Sequence, residues 1–297
     1  MSRSASAHRS ETLKALYPLL FVALWSTGFI GAKFGLPYAE PLTFLTIRYL
    51  AVLVLMGAIT WRMRAPWPRT GLEWIHIGIS GLLIHALYLG GVFTAISHGL
   101  PAGVTSLVVG LQPVLTALGA GLLLGERVRP TQWAGLALGF VGVGLVVAHK
   151  VVASASGGAL LVMLLPAAIA LLGITVGTLY QKRFCHAFDL RTGSVIQFLP
   201  CLAVTALEAS QKETMQVQWT GSFMFALGWL VLVLSLGAVS LLNVLIRSGS
   251  AVNVASLFYL TPPTTALIAW ALFDETLTGL ALIGMGLTVF GVWLARK

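Results

Sequence analysis

His85 and Tyr88 stand three residues apart in one apolar stretch of the chain, and Arg48 stands alone in another. Phe21, Trp25, Phe29 and Lys33 recur every four residues in a third. Helix positions three or four apart share a face. His85 and Tyr88 therefore project together, and the aromatic series forms one slowly drifting stripe. Such residues can hold a small organic molecule. The rings take an apolar body, Lys33 attracts a carboxylate, and His85 hydrogen-bonds or relays a proton, because imidazole titrates near neutrality. Plain alternatives stand beside this: packed or lipid-facing rings, a Lys33 that snorkels to the bilayer surface, and a neutral His85 bonded between helices. An intramembrane arginine is costly and faces the protein interior, so Arg48 reads first as half of a structural pair with Glu40, and second as a substrate contact. His76, nine residues before His85, points the opposite way. Gln112 and Thr261 precede prolines, and Tyr259 and Asn243 are further polar candidates. None of these groups forms a catalytic constellation. There is no G-x-x-x-x-G-K-[ST] phosphate loop, no acid-rich or metal-ligand cluster, and only two cysteines, Cys185 and Cys201, which differ too much in depth to pair. Neither a cofactor nor a metal is expected.

The elements that must position these residues are membrane spans. Apolar residues make up 58% of the 297 and charged residues 9%, against about 25% charged in a soluble domain. A span needs about 20 apolar residues to cross roughly 30 Å of hydrocarbon. Ten segments qualify: 14–35, 42–61, 72–96, 101–124, 131–148, 158–180, 192–209, 220–242, 251–273 and 277–294. The weakest of the ten is 192–209, which is short and contains Pro200. The first has a basic leader, but it is about twice as long as a signal-peptide core and lacks a small-x-small site; it reads as a retained helix. The net charge of +9 does not point to nucleic acid, because it is distributed by topology. With the N-terminus inside, inner loops and tails hold 14 of the 18 Lys and Arg, and outer loops hold only Lys150 and Lys212. This asymmetry places both termini in the cytoplasm. Trp74, Trp133 and Trp219 fall near span ends as interfacial anchors. No N-x-[ST] acceptor occurs, in keeping with a bacterial inner membrane.

Residues 102–144 and 251–293 repeat one pattern at an offset of 149. Leu111 falls on Leu260, Pro113 on Pro262, Glu126 on Glu275, Gly135 on Gly284, Gly142 on Gly291 and Val143 on Val292. The copies are five spans apart, an odd number, so the second lies inverted in the bilayer. Two halves follow, 14–148 and 158–294. Inverted repeats of this kind build secondary transporters, with substrate held near the midplane where helices are interrupted. Pro113, Pro262 and Pro263 lie mid-span, where proline removes a backbone hydrogen bond. They are expected to shape a cavity, with Gln112 and Thr261 helping to satisfy the freed carbonyls; a plain kink is the alternative. Glycine pairs at 121/125, 135/139 and 173/177 suit close internal packing, and they leave a dimer open beside a monomer.

The run Leu24-Trp25-Ser26-Thr27-Gly28-Phe29 through Lys33, then Pro41 to Phe44 and Ile47-Arg48-Tyr49-Leu50, resembles the start of an EamA domain of the drug/metabolite transporter superfamily. Gln112-Pro113 with Gly125-Glu126, and Thr261-Pro262 with Glu275, resemble the ends of its two domains. The likeness covers nearly the whole chain. It implies an all-α membrane protein of ten helices in two inverted five-helix repeats. Members similar to this chain export amino acids and related metabolites, some of them aromatic amino acids or cationic toxicants. The opening of the second half, Ala159 to Lys182, keeps Tyr180 but lacks the Trp-Ser pattern, so the first and sixth helices should contribute unequally.

The expected function is export of amino acids and similar small metabolites by alternating access, with substrate contacts at Trp25, Phe29, His85, Tyr88, Gln112 and Tyr259. Pro113, Thr261 and Pro262 would shape the cavity, and Lys33 and Arg48 would supply charge. The partners are a small-molecule substrate and the lipid bilayer. A carrier of other organic solutes such as drugs, sugars or nucleotide sugars is the nearest alternative, and an intramembrane enzyme is the alternative of another class. No Asp or Glu lies mid-span, which favours downhill export over proton coupling through His85.

Overall fold

The computed structural model describes residues 2–154, 159–185, 188–273 and 277–296. Glu275 of the repeat, its neighbour Asp274 and the C-terminal Lys297 lie outside the described residues. Within them the chain is helical, with no strand and one isolated antiparallel bridge, Ala39 to Val217.

The helices are α1 (Ser2–Gly35), α2 (Pro41–Arg62), α3 (Gly71–Ser97), α4 (Ala102–Val109 and Gln112–Leu124), α5 (Pro130–Ser154) and α6 (Ala159–Phe184). They continue as α7 (Leu190–Lys212), α8 (Gly221–Ser248), α9 (Ala251–Ser256, Leu257–Leu260 and Thr261–Phe273) and α10 (Gly279–Ala295). Eight are long and apolar enough to cross a bilayer, and the shorter apolar runs Pro130–Val146 and Gly279–Ala295 complete ten. The doubtful segment 192–209 is the core of a 23-residue helix that absorbs Pro200. Local chemistry sets the ends. Thr70 and Glu73 form a reciprocal capping box at the start of α3. Thr220, Ser250 and Thr278 cap α8, α9 and α10. Gly125, at φ 67°, takes the left-handed conformation that terminates α4.

The packing is symmetric under exchange of the halves. α2 packs on α7, α4 on α9 and α5 on α10, while α3 packs on α6 as α8 does on α1. The self-paired contacts are antiparallel. Thr43 at the start of α2 meets Glu213 just past the end of α7, and Pro66 beyond the end of α2 meets Thr192 at the start of α7. In α5–α10, a Cβ on Gly135 would lie 2.4 Å from the Ala295 nitrogen, one on Gly142 2.5 Å from the Thr288 hydroxyl, and one on Gly291 2.5 Å from the Gly139 nitrogen. The repeated glycines of the sequence thus face each other across the symmetry axis, and only hydrogen fits between the backbones. Exchange combined with antiparallel pairing is a two-fold rotation about an axis perpendicular to the helices, which lies in the bilayer plane.

Four helices are interrupted, in two symmetric pairs. α4 and α9 break at their prolines, α9 through a 3₁₀ turn at Leu257–Leu260. α3 and α8 widen into π-helical turns at Leu82–Leu87 and Leu230–Ala238. The 149-residue offset carries the first π segment inside the second. The connecting loops form two faces. One is basic. There Arg247 lies 4.2 Å over the Phe188 ring, Lys182 donates to the Ile246 and Gly249 carbonyls, and the Ala251 nitrogen donates to Glu126 at 3.1 Å. Arg191 hydrogen-bonds Asp189 and holds its carboxyl below the usual range. On the opposite face, the Thr214 nitrogen donates to Glu40 at 2.7 Å, and the Leu42 and Thr43 nitrogens donate to Glu213 at 2.8 and 2.7 Å. The expected Glu40–Arg48 pair is therefore not formed. Glu40 is used in stitching the α1–α2 loop to the segment after α7.

Candidate functional site

α1, α2, α3 and α8 enclose a pocket of about 30 Å³, bordered by both π segments. Trp25, Gly28 and Phe29 line it from α1, Arg48 from α2, His85, Tyr88 and Phe93 from α3, and Leu234 and Val239 from α8. The helical spacing of the α1 stripe and of the His85/Tyr88 pair accounts for this convergence. The Trp25 and Tyr88 rings stack 6.1 Å apart at 13°, and His85 stacks on Phe198 at 4.3 Å and 15°. Tyr49 donates its hydroxyl to the His85 carbonyl at 2.9 Å, one of the groups displaced by the π turn. The Ser235 hydroxyl donates to the Leu230 carbonyl five residues back, at 3.1 Å, in the matching turn of α8. Arg48, 3% exposed, donates from Nε to the Ser235 hydroxyl at 3.1 Å.

Polar and aromatic layers flank the pocket. Toward the basic face, Gln197 of α7 donates to Ser80 of α3 and Gln181 of α6, both at 3.1 Å, and Gln181 donates to Asn243 of α8 at 2.8 Å. All four side chains are buried, and they tie four helices together. Toward the opposite face, Phe44 packs at 5.4 Å on Phe93 and 5.0 Å on Phe223. A volume of about 30 Å³ accommodates only about two water molecules. Admitting an organic molecule requires these layers to part.

The remaining expected residues sit elsewhere. Gln112 does not line the pocket. Its amide points to the Thr178 hydroxyl of α6 at 3.5 Å. Tyr259 also lies outside it, in the cluster with Ala117, Leu136, Val143 and Val292. The 3₁₀ turn sets the reason. It directs Tyr259 at Gly139 of α5 and its neighbour Phe258 at Trp25, 5.4 Å between centroids. Phe258 thus backs the α1 stripe, packing on both Phe21 and Trp25, and spacing alone could not favour it over its neighbour Tyr259. Pro113, Thr261 and Pro262 are buried away from the pocket. The Thr261 backbone carbonyl accepts from the Ser26 hydroxyl of α1 at 3.4 Å, while the Thr261 hydroxyl and the side-chain amide oxygen of Gln112 have no partner. A neighbouring helix, not the side chain beside the proline, makes the contact at this break. Lys33 is exposed near the end of α1, outside the pocket. His76 faces away from it, with Nδ1 2.7 Å from the Tyr180 hydroxyl. The residues of this site that were not singled out in the sequence include Ile84, Leu89, Val92, Phe93, Leu234 and Val239, together with the Ser80–Gln197–Gln181 layer. A buried glutamine in an apolar span was the available signal for the last.

A ten-helix membrane protein with two halves related in the bilayer plane and a pocket between them has the form of a secondary carrier. The chain belongs to the EamA-like transporter family, whose model matches residues 12–148 and 158–296. It is 29% identical to a probable amino-acid metabolite efflux pump of Salmonella typhimurium, over 93% of this chain and 92% of the relative. It is 25% identical to the uncharacterized inner membrane transporter YedA of Escherichia coli, over 96% of this chain and 92% of that protein. It is 29% identical to the uncharacterized transporter YvbV of Bacillus subtilis, over 96% and 92%. A crystal structure at 24% identity shares the fold with a TM-score of 0.76 over 96% of both chains.

Proposed function

We propose that this protein exports amino acids and related small metabolites across a bacterial inner membrane by alternating access. The observation that carries the reading is the pocket where α1–α3 of one half meet α8 of the other, bordered by paired π interruptions. π turns cluster at functional sites, and a seam between inverted repeats is where carriers hold substrate. The Salmonella relative's name supports the amino-acid class. In this reading the halves are 14–148 and 158–294, the basic face is cytoplasmic with both termini, and Trp25, Phe29, His85 and Tyr88 contact the substrate. The polar layer at Gln197 is the inner closure and the Phe44–Phe93–Phe223 layer the outer one. The protein acts as a carrier rather than an enzyme, and other organic solutes are the competing cargo.

The test is efflux of labelled amino acids from loaded proteoliposomes. Wild-type protein should release aromatic and large apolar amino acids faster than empty vesicles. Trp25→Ala and Tyr88→Ala should lower the rate per folded carrier about tenfold or change the order of preference. Wild-type rates and selectivity in both variants would remove these residues from the substrate path. A pH gradient decides coupling: accumulation above equilibrium that is lost in His85→Ala but kept in His76→Ala would assign proton coupling to His85.

A further inference from the structure

Arg48 is a buried cation with no countercharge among the described side chains, which leave out those of Glu11, Asp274 and Glu275. It lines the pocket at 3% exposure, and its hydrogen bond is the one from Nε to the Ser235 hydroxyl. A guanidinium has five N–H donors and stays charged, so the four donors on its terminal nitrogens are uncommitted. Each acidic side chain the structure describes is occupied elsewhere. Glu40 takes Thr214, Glu73 caps α3, and Glu126 takes the Ala251 nitrogen. Asp189 pairs with Arg191, Glu208 with Lys212, and Glu213 takes Leu42 and Thr43. Buried charges are ordinarily paired, because desolvation without compensation is expensive.

The repeat supplies a second, independent observation. The 149-residue offset carries Arg48 of α2 onto Gln197 of α7. Gln197 is neutral and closes a protein network through Ser80 and Gln181. Arg48 makes one bond, to Ser235. At symmetry-related positions, one half presents a neutral amide whose nitrogen is committed to protein partners, and the other a cation with spare donors. We propose, on the reading of this pocket as the substrate site, that Arg48 anchors the carboxylate of the transported molecule. The anchor makes a two-pronged contact to the carboxylate oxygens, the geometry for which a guanidinium is suited, and Trp25, Phe29 and Phe93 take the apolar body. The substrate class is then an organic acid or zwitterion with an apolar side chain. Amines and neutral amides of the same shape are excluded, because they leave the cation unpaired. Lys33, exposed outside the pocket, takes no part in this contact.

The test separates the anchor from the transport reading by measuring binding in detergent. Affinities for 3-phenylpropionate, 3-phenylpropanamide and phenethylamine are compared by thermal shift and by tryptophan fluorescence. Wild-type protein should prefer the carboxylate at least about tenfold, the usual scale of a hydrogen bond to a charged group. Arg48→Gln places at this position the residue that the other half carries there, and it should abolish the preference while keeping a cooperative melt. Arg48→Lys should retain a reduced preference. Equal binding of acid and amide by the wild type, or an undiminished preference in Arg48→Gln, overturns the anchor. If Arg48→Gln does not fold, loss of the preference to a few-fold in Arg48→Lys supports the anchor, and a full preference there overturns it. Failure of wild-type proteoliposomes to move amino acids would instead count against the exporter, and the binding comparison stands apart from that result.

Discussion

The two interrupted helix pairs, α4 with α9 and α3 with α8, are broken by different chemistry and serve different ends. In α4 and α9 the break is written in the residue itself. Pro113 and Pro262 cannot donate to the preceding turn, and both are buried in packed protein with Ser26, Thr178 and the glycine face of α5 around them. In α3 and α8 no proline is present. The π turns are upheld by neighbours: Tyr49 on the His85 carbonyl, Ser235 on the Leu230 carbonyl, and Gly173 and Gly177 of α6 pressed against Leu83 and Ile84. The pocket lies at this second pair. The proline breaks thus belong to the scaffold, and the breaks imposed by packing belong to the site.

If that division is right, scaffold variants should cost folding and site variants should cost turnover. The largest effect is expected at the α5–α10 seam. Gly142→Leu drives a side chain into the Thr288 and Gly284 backbone, within 2.7 Å of a Cβ. Overpacking of this kind costs about 3 kcal/mol or, against backbone, more. The variant should lose most of its folded yield. Gly144→Leu, two residues on with nothing within 4 Å, should melt like the wild type. Equal behaviour of the two variants would mean that the seam is not the close contact described.

A smaller effect, and one on rate, is expected where α6 presses the π turn of α3. A Cβ on Gly173 would lie 2.9 Å from the Leu83 carbonyl oxygen and the Tyr88 nitrogen. Gly173→Ala should shift α6 by a few tenths of an ångström and resist repacking of that turn. Efflux per folded carrier should fall several-fold, with stability lowered by about 1–3 kcal/mol. Gly90→Ala, on α3 with open space around it, is the matched control. Unaltered efflux in Gly173→Ala would separate the π turn from the transport cycle.

These contrasts also explain what was legible in the sequence. Ten spans, the repeat and the α1 stripe could be read because hydropathy, proline, glycine and four-residue spacing are local signals. Four of the six expected contacts, Trp25, Phe29, His85 and Tyr88, meet in one pocket: the first two share a regular face of α1, and the second two, three residues apart across the end of the π turn, still project together. Gln112 and Tyr259 fell outside because they follow or precede a break, where the phase of the helix changes and spacing stops predicting direction. The Arg48 environment was hidden for another reason. Glu40 is near it in sequence, but its carboxylate is captured by Thr214, a residue 174 positions away. A π turn has no residue of its own to mark it, so the site's main architectural feature left no trace in the sequence.

The last expectation leaves activity untouched and concerns which face is inside. The loop at Arg69 belongs to the basic face and Ser210 to the opposite one, and both residues are exposed. In right-side-out vesicles, a membrane-impermeant maleimide should label Ser210→Cys and spare Arg69→Cys until the membrane is opened. The native cysteines need not be removed for this. Cys201 is buried inside α7. Burial pushes the Cys185 thiol up to about 11, so at neutral pH it is almost wholly protonated, and only the thiolate attacks maleimide. Labelling of Cys185 in opened vesicles should be slow near pH 7 and rise about tenfold per pH unit as that value is approached. Fast labelling at pH 7 would place Cys185 in an open, polar loop. Labelling of Arg69→Cys from outside, with Ser210→Cys silent, would turn the protein over in the membrane and exchange the inner and outer closures assigned here.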